Sequence, residues 1–586
     1  RTLVSRIAWL AEQGISPSRI TAVTFTNKAA KEMRQRLEIQ LGDRRTVRSM
    51  TIGTFHAICL ELLNKWEGEV ILLDQQEALT VAEEVGASAG YTASPRRLLE
   101  GISRIKNGIA QLDSPQGVPQ AVYEAYNQRL REYGVRDYDD ILLDVLHRLE
   151  EEGGRKAPAA FSHLLVDEFQ DINDLQYRLV RAWNRGGESL FVIGDPDQSI
   201  YGFRGSDARC FERLTGDYPD LRRIRLIQNY RSTPEILRCA LPVLASDGAH
   251  RQLEPVHESG KKPGLYRAED PFAEALFITK EINRLVGGID MLDAQEARRA
   301  EKGRNRGFSD IAVLYRTHRQ ADILEYCFAK EGIAYTVAGR DDFLSGVQVR
   351  RAAAFFRFLL DPADSLSLRL CLLAADSHAK ERLSELLDAY ASCANNPAAF
   401  ADILDGMVPR DMDGGFPLLA QALRKFQPLV RRGKPAELLA AWRRDHSLEE
   451  DKDLERLQDT AAFHDRMSEF LEALSLGREA DIVRRSKAYS PDAVTLSTLH
   501  GAKGLEFPVV FLCGVQEEKI PLTGGRETDP AEERRLFYVG MTRAKEELIL
   551  SGAGDPSPFM KDIPAGSLET VTDRRQPYQG KQLHFF

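Results

Sequence analysis

FSHLLVDEFQDINDLQYRLVRAWNRGGESLFVIGDPDQSIYGFRGS, residues Phe161 to Ser206, contains two short apolar runs that each end in acidic and amide side chains. Leu164 to Val166 delivers Asp167 and Glu168, followed by Gln170 and Asp171; Leu190 to Ile193 delivers Gly194, Asp195, Asp197 and Gln198. Runs this short and this apolar read as buried strands, and the helical segment of about a dozen residues between them makes them parallel neighbours. Their carboxyl ends then meet at one edge, where α/β sheets place ligands. An Asp able to hold magnesium beside a Glu able to polarise water is the residue set that hydrolysis of a nucleoside triphosphate needs, since magnesium takes few protein carboxylates and keeps several waters. The plain alternative is that Asp167 and Glu168 only cap the following helix.

The strings VDEFQD and GDPDQSIYGFRGS together resemble motifs II and III of the UvrD/Rep/PcrA-type superfamily 1 helicases of bacteria. The resemblance implies an α/β fold with two RecA-like parallel-sheet lobes, 1A and 2A, each carrying an inserted helical subdomain, 1B or 2B. It assigns Asp167 to Mg2+, Glu168 to the attacking water, and Gln198 to sensing the terminal phosphate of ATP. The family usually has Trp where this chain has Phe203 and often Asp where it has Pro196. The first difference leaves a smaller stacking platform; the second has no physical account.

The composition fits this class. At 586 residues the chain exceeds a single core and suggests three or four domains. Hydrophobic content of 43% and charged content of 28% are those of a globular protein. No apolar run approaches the roughly 18 residues of a membrane span and no signal peptide opens the sequence, so a cytoplasmic location is expected. Seven cysteines without a CxxC pair predict reduced thiols. A net charge of −9 excludes a broadly basic surface, so nucleic acid would bind in a local groove.

In chain order, Arg1 opens directly into a helical pattern with Leu3, Ile7 and Leu10 on one face, and no GxxxxGK[ST] loop occurs anywhere. In the family that loop sits just before such a helix. The expectation is therefore that these residues begin just after it, lack the Walker A lysine and show negligible ATPase by themselves. Ile20 to Phe25 is a strand pattern leading into TFTNKAAKEM, which looks like motif Ia, with Thr26 and Asn27 as single-strand contacts at a helix N-terminus. Thr51 to His56 resembles motif Ib, assigning Thr54, Phe55 and His56 to the strand; without the resemblance, Phe55 and His56 read more simply as core. In motif III, Tyr201 and Phe203 lie two apart beside Arg204, so an extended segment would turn both rings to one groove, where each could stack on a base of any sequence.

Leu226 to Ser232 resembles motif IV, with Tyr230 stacking adenine and Arg231 reaching the terminal phosphate. Asp310 to Arg316, DIAVLYR, reads as a buried strand of a second lobe. Val494 to Phe507 resembles motif V, with Thr498 and His500 as strand contacts and Gly504 and Glu506 at the nucleotide, Glu506 on its ribose. Glu532 to Ala544 resembles motif VI and puts Arg543 forward as a second phosphate finger.

The expected organisation is lobe 1A at 1–60 and 155–227, subdomain 1B at 61–154, lobe 2A at 228–343 and 488–565, subdomain 2B at 344–487, and a flexible tail at 566–586. Subdomain 2B carries the weakest resemblance: Gln348 and Arg351 stand where acidic residues are common, and the Gly-apolar-Gly hairpin expected to grip duplex is missing. The expected activity is an ATP- and Mg2+-dependent 3′ to 5′ DNA helicase and translocase of repair or replication restart, with ATP held between the lobes. Its partners would be single-stranded DNA and junctions of single and double strand, acted on by a monomer or weak dimer. The alternatives are the helicase subunit of a recombination or repair nuclease complex, and a non-catalytic DNA-binding scaffold with a decayed ATP site. The last residues add a candidate partner: Gln582, Leu583, Phe585 and Phe586 resemble the QLxLF peptide with which bacterial replication and repair proteins dock on the sliding clamp.

Overall fold

The computed structural model of the chain describes residues 2–68, 70–73, 75–114, 117–151, 159–207, 209–244, 252–287, 306–338, 344, 346–376, 379–406, 415–476, 492–523 and 529–571. It divides into two compact units. One comprises Arg1–Asp195, Phe203–Phe211 and Asp342–Lys487; the other comprises Pro196–Gly202, Glu212–Asp341 and Ala488–Phe586.

The first unit holds β1 (Ile20–Thr24), β2 (Thr51–Thr54), β3 (Ile71–Leu72), β4 (Val135–Arg136), β5 (His163–Val166) and β6 (Ser189–Val192). Its main sheet has the order β2-β1-β5-β6, parallel throughout. β1 and β5 are buried at every position, Thr21, Thr24 and His163 included, whereas edge strand β6 is only half-buried. The helix Asp174–Trp183 makes the crossover from β5 to β6, and Leu165 pairs with Phe191, so the parallel arrangement expected from the sequence is the one present.

The rest of this unit is helical. Gln75–Ser88, Pro95–Lys106 and Gln120–Tyr133 pack around Val81, Leu98, Tyr126 and Leu130, whereas Tyr138–Glu151 packs chiefly against the helices Phe55–Glu67 and Asp174–Trp183. From Val347 to Leu476 a further series of helices encloses its own core of Phe355, Phe356, Phe400, Phe416, Phe426 and Trp442. Leu366 of this second series is buried in the core of the first. Arg357 pairs with buried Glu77, and Arg369 donates to the Tyr133 hydroxyl at 2.9 Å. Residues that the sequence inserts into the second lobe are thus grouped in space with the first unit.

The second unit holds β7 (Gln228–Asn229), β8 (Glu254–Pro255), β9 (Gly264–Ala268), β10 (Ile311–Tyr315), β11 (Tyr335–Val337), β12 (Val494–Thr498), β13 (Phe507–Leu512), β14 (Ala544–Ala553) and β15 (Glu569–Thr570). Seven of these form one parallel sheet in the order β11-β12-β10-β13-β14-β9-β15. β10, DIAVLYR without its flanking charges, is wholly buried as the third of the seven strands, with β12 and β13 on either side. Chain order therefore reverses at β10, the place where the carboxyl ends of such sheets open a crevice. No helix among the described residues is long and apolar enough to cross a membrane. Six described cysteines are buried and Cys393 is half-buried, all with free thiols.

Candidate functional site

In the first unit the carboxyl ends of β1, β2 and β5 gather Thr26, Asn27, Thr54, Asp167 and Glu168 at one edge. The Asp167 N–H continues the β1–β5 ladder onto the Val23 carbonyl at 2.9 Å, and the Phe169 N–H bonds the Ile193 carbonyl at 3.0 Å. Between them Glu168 takes left-handed backbone, φ 49° and ψ 44°. A non-glycine residue there costs about 1–2 kcal/mol, and such strain persists where neighbours hold it. The bonds of Asp167 and Phe169 on either side hold the backbone, and Gln170, which is fully buried, holds the side chain. Its Nε2 donates to Glu168 Oε2, and its Oε1 accepts the Asp195 N–H at 2.9 Å. Gly194 is needed beside it, because a Cβ there would overlap both Gln170 Oε1 and the Phe169 nitrogen. Gln170, unassigned by the sequence reading, thus fixes Glu168 from the next strand end; the signal was its place inside VDEFQD.

Burial pushes the Asp167 carboxyl up to about 6, and the Glu168 charge beside it adds to the rise. A buried carboxyl that resists ionising until a positive charge arrives suits a divalent cation that takes one protein carboxylate and fills its other positions with water and phosphate oxygens. Among the described residues no group of three or more His, Cys, Asp or Glu is placed to hold a metal ion, and magnesium bound in this manner needs none.

Thr26 and Thr54 are helix N-caps, their hydroxyls accepting from Ala29 N at 3.1 Å and Ala57 N at 3.3 Å. A capping threonine retains its own O–H to donate, and the helix start behind it offers backbone N–H groups to a phosphate. Phe55 and His56 are placed otherwise than the motif Ib resemblance implies. Phe55 is buried and stacked on Trp183 at 5.6 Å, and His56 is buried and stacked on Tyr138 at 3.6 Å, so neither ring offers a face to a base. Burial of apolar surface against partners remote in sequence decides this, as it would for any core aromatic. Motif III also departs from expectation. Gly202–Arg204 is a 3₁₀ turn rather than extended chain, so the two-residue alternation that would align Tyr201 with Phe203 does not operate. Phe203 is 53% exposed. The Arg204 side chain and the tail residues Gln582, Leu583, Phe585 and Phe586 lie outside the described residues.

The second unit assembles the other candidates. Arg543 is 1% exposed. Its guanidinium donates to the carbonyls of Val539 at 2.8 Å and Leu505 at 3.3 Å, and to the Gln198 side-chain oxygen at 3.3 Å. Arg231 and Lys545 both bind Glu506, at 2.9 and 2.8 Å. Partial burial would raise the Glu506 carboxyl, but its hydrogen bonds to Lys545 and Arg231 outweigh that and hold it below the usual range. Two arginines and the ribose candidate are therefore held by protein partners that phosphate and ribose oxygens could replace. Tyr230 is 64% exposed, with its hydroxyl on Gln228 and its carbonyl accepting from His257.

At the end of β12 the Thr498 hydroxyl accepts the Gly501 N–H at 3.1 Å and caps the turn that presents His500 and Gly504. His500 lies 6.4 Å from the Tyr201 ring. Lys503, which the sequence reading passed over within HGAKGLEF, sits 5.1 Å above that ring and donates to the Gln198 carbonyl at 2.5 Å. Arg316, at the end of β10, makes a buried bidentate pair with Glu533 that fixes the helix Pro530–Met541 on which Arg543 follows.

Comparison with known proteins bears on both units. Residues 1–219 match the family described as UvrD/REP helicase N-terminal domain, and residues 224–404 and 447–554 match the UvrD-like helicase C-terminal domain. The chain is 33% identical over 666 aligned residues to the ATP-dependent DNA helicase UvrD1 of Mycobacterium leprae, covering 96% of this chain and 82% of the relative. It is 30% identical over 653 aligned residues to the ATP-dependent DNA helicase PcrA of Staphylococcus epidermidis, covering 99% and 86%.

Proposed function

Because the chain belongs to the UvrD/REP helicase family, we propose that it is an ATP- and Mg2+-dependent translocase that moves 3′ to 5′ on single-stranded DNA and opens duplex in repair or replication restart. The observation that carries this is the placing of Asp167 beside Glu168, the latter in left-handed backbone with its carboxylate held by Gln170, at the carboxyl edge of a parallel sheet. Magnesium, when bound at Asp167, supplies charge neutralisation to the nucleotide phosphates. Glu168 accepts a proton from, and orients, the attacking water; Gln170 keeps its carboxylate from turning away. Arg231 and Arg543 give guanidinium donors to the charge that develops on the transferred phosphoryl group. Tyr230 stacks the base and Glu506 accepts from the ribose. Thr26, Asn27, Thr54, Tyr201, Phe203, Thr498 and His500 bind the strand, and Gln582 to Phe586 docks on a sliding clamp.

The test is the variant Glu168→Gln. Since Glu168 acts on the attacking water, nucleotide binding should be nearly unchanged while DNA-stimulated hydrolysis falls at least about a hundredfold. Near-normal turnover in that variant defeats the assignment. Displacement of a protein block from the 5′ but not the 3′ end of a single strand checks the polarity. Deleting the last five residues checks the clamp peptide, for which equal clamp binding with and without them is the negative result.

A further inference from the structure

The helix Pro530–Met541 does more than lead to Arg543. Its first turn carries Glu532, whose Oε1 accepts the Gly202 N–H at 3.0 Å. One turn on, Arg535 donates through Nε to the Ser199 carbonyl at 2.7 Å. Residues three apart on a helix share a face, so both side chains address the same short segment, Pro196–Gly202. The segment is anchored between these bonds by Ile200, fully buried in the core of this unit, and by Ser199, 2% exposed. Gly202 and the carboxylate are in close approach: a Cβ there would overlap the Glu532 carboxylate, which would have to shift. Of the two groups the segment presents, the Tyr201 ring lies between these bonds and faces Lys503 and His500, and the Gln198 side chain, directly before Ser199, reaches Arg543.

We propose that Glu532 and Arg535 are positioning residues: by gripping the backbone of Gly202 and Ser199 they set the conformation in which Gln198 faces the arginine finger and Tyr201 faces the strand. The proposal rests on the reading of Tyr201 as a single-strand contact, and goes beyond it in assigning the residues that aim the ring. Gly202 is itself exposed, so its amide exchange with solvent is slowed chiefly by the bond to Glu532. Burial raises the Glu532 carboxyl, and the Gly202 N–H works against that rise by stabilising the carboxylate.

The experiment uses the chain as it is, with two readouts: hydrogen exchange of the stretch Pro196–Phe203, and affinity for a labelled oligothymidylate at fixed salt. Glu532→Ala should speed exchange of the Gly202 amide about tenfold and weaken the oligonucleotide about three- to tenfold. Glu532→Gln keeps an acceptor oxygen and should preserve both. Arg535→Gln, which keeps a shorter donor, should loosen the Ser199 end of the stretch by a smaller factor while leaving exchange of β10 and β13 unchanged, which separates local release from failure to fold. Wild-type exchange at Gly202 in Glu532→Ala overturns the proposal, and so does an equal loss in Glu532→Gln, which would reduce the effect to charge. Wild-type affinity in Tyr201→Ala removes the strand reading and with it the DNA half of the proposal; exchange at Gly202 then decides the positioning half alone.

Discussion

Phe203 shows how much a single side chain can be asked to do here. The ring is 53% exposed, whereas Phe169 and Phe161 are fully buried, so about half of its surface is open to a ligand. An exposed ring in a chain of net charge −9 suits a ligand bound by stacking, because base faces add affinity without a broad basic field. Phe203→Ala is expected to cost about 1–3 kcal/mol of single-strand affinity, and Phe203→Trp to tighten it modestly, the larger indole face giving more overlap. Titration of a labelled single strand at fixed salt measures both, and an unchanged dissociation constant in the Ala variant removes Phe203 from the strand site. Phe55 makes the contrast. It had the same claim from motif Ib, but its stack on Trp183 uses the face a base would need.

At the scale of elements, legibility in the sequence follows the range of the interactions. Leu164–Val166 and Asp310–Arg316 could be read as strands with chemistry at their ends, because a strand buried on both faces is an unbroken apolar run and its end is where polar residues resume. The N-caps Thr26, Thr54 and Asn173 are equally local. What could not be read was set by partners far away. Glu532 grips Gly202 across 330 residues of chain, and nothing near Gly202 announces it. The start of the helix Tyr138–Glu151 combines both kinds. Asp137 caps it locally, accepting from Asp139 N and Asp140 N at 3.0 Å, while Lys106 reaches Asp137 and Asp140 at 2.7 and 2.6 Å with its side chain 1% exposed. Burial first, then the Asp137 charge, pushes Asp140 up to about 6. A carboxyl whose folded value is raised stabilises below its unfolded value and loses that stabilisation as pH rises through about 6. Wild-type stability should therefore gain about 1 kcal/mol from this group between about pH 7.5 and about pH 5, and Asp140→Asn, which keeps an oxygen for Lys106, should lack that gain. Urea unfolding of both proteins at the two pH values reads the difference; a constant gap between them would show that Asp140 does not titrate in this window.

For the molecule as a whole, the informative point is where the helices after Val347 belong. In sequence they interrupt the second lobe, between β11 and β12, yet they are grouped with the first unit and share its core through Leu366. The polar side of that association is the pair of Arg357 and Glu77, with side chains only 10% and 5% exposed, backed by Arg369 on Tyr133 and Glu84. Periodicity could not have shown this, because a helix pattern gives the face that is buried and not the element that covers it. A buried ion pair gains little over a well-packed apolar pair, but removing one member strands the other charge at a cost of about 3–5 kcal/mol. Arg357→Ala should therefore loosen both sides of the contact together: hydrogen exchange should rise in Gln75–Ser88 as well as in Val347–Leu360, segments more than two hundred residues apart in a chain of 586. Pairing Arg357→Met with Glu77→Leu should restore most of the protection, since the stranded carboxylate is then gone and the volume is kept. Exchange that rises in Val347–Leu360 alone would mean that the two helical series fold independently and that Arg357 matters only to its own helix.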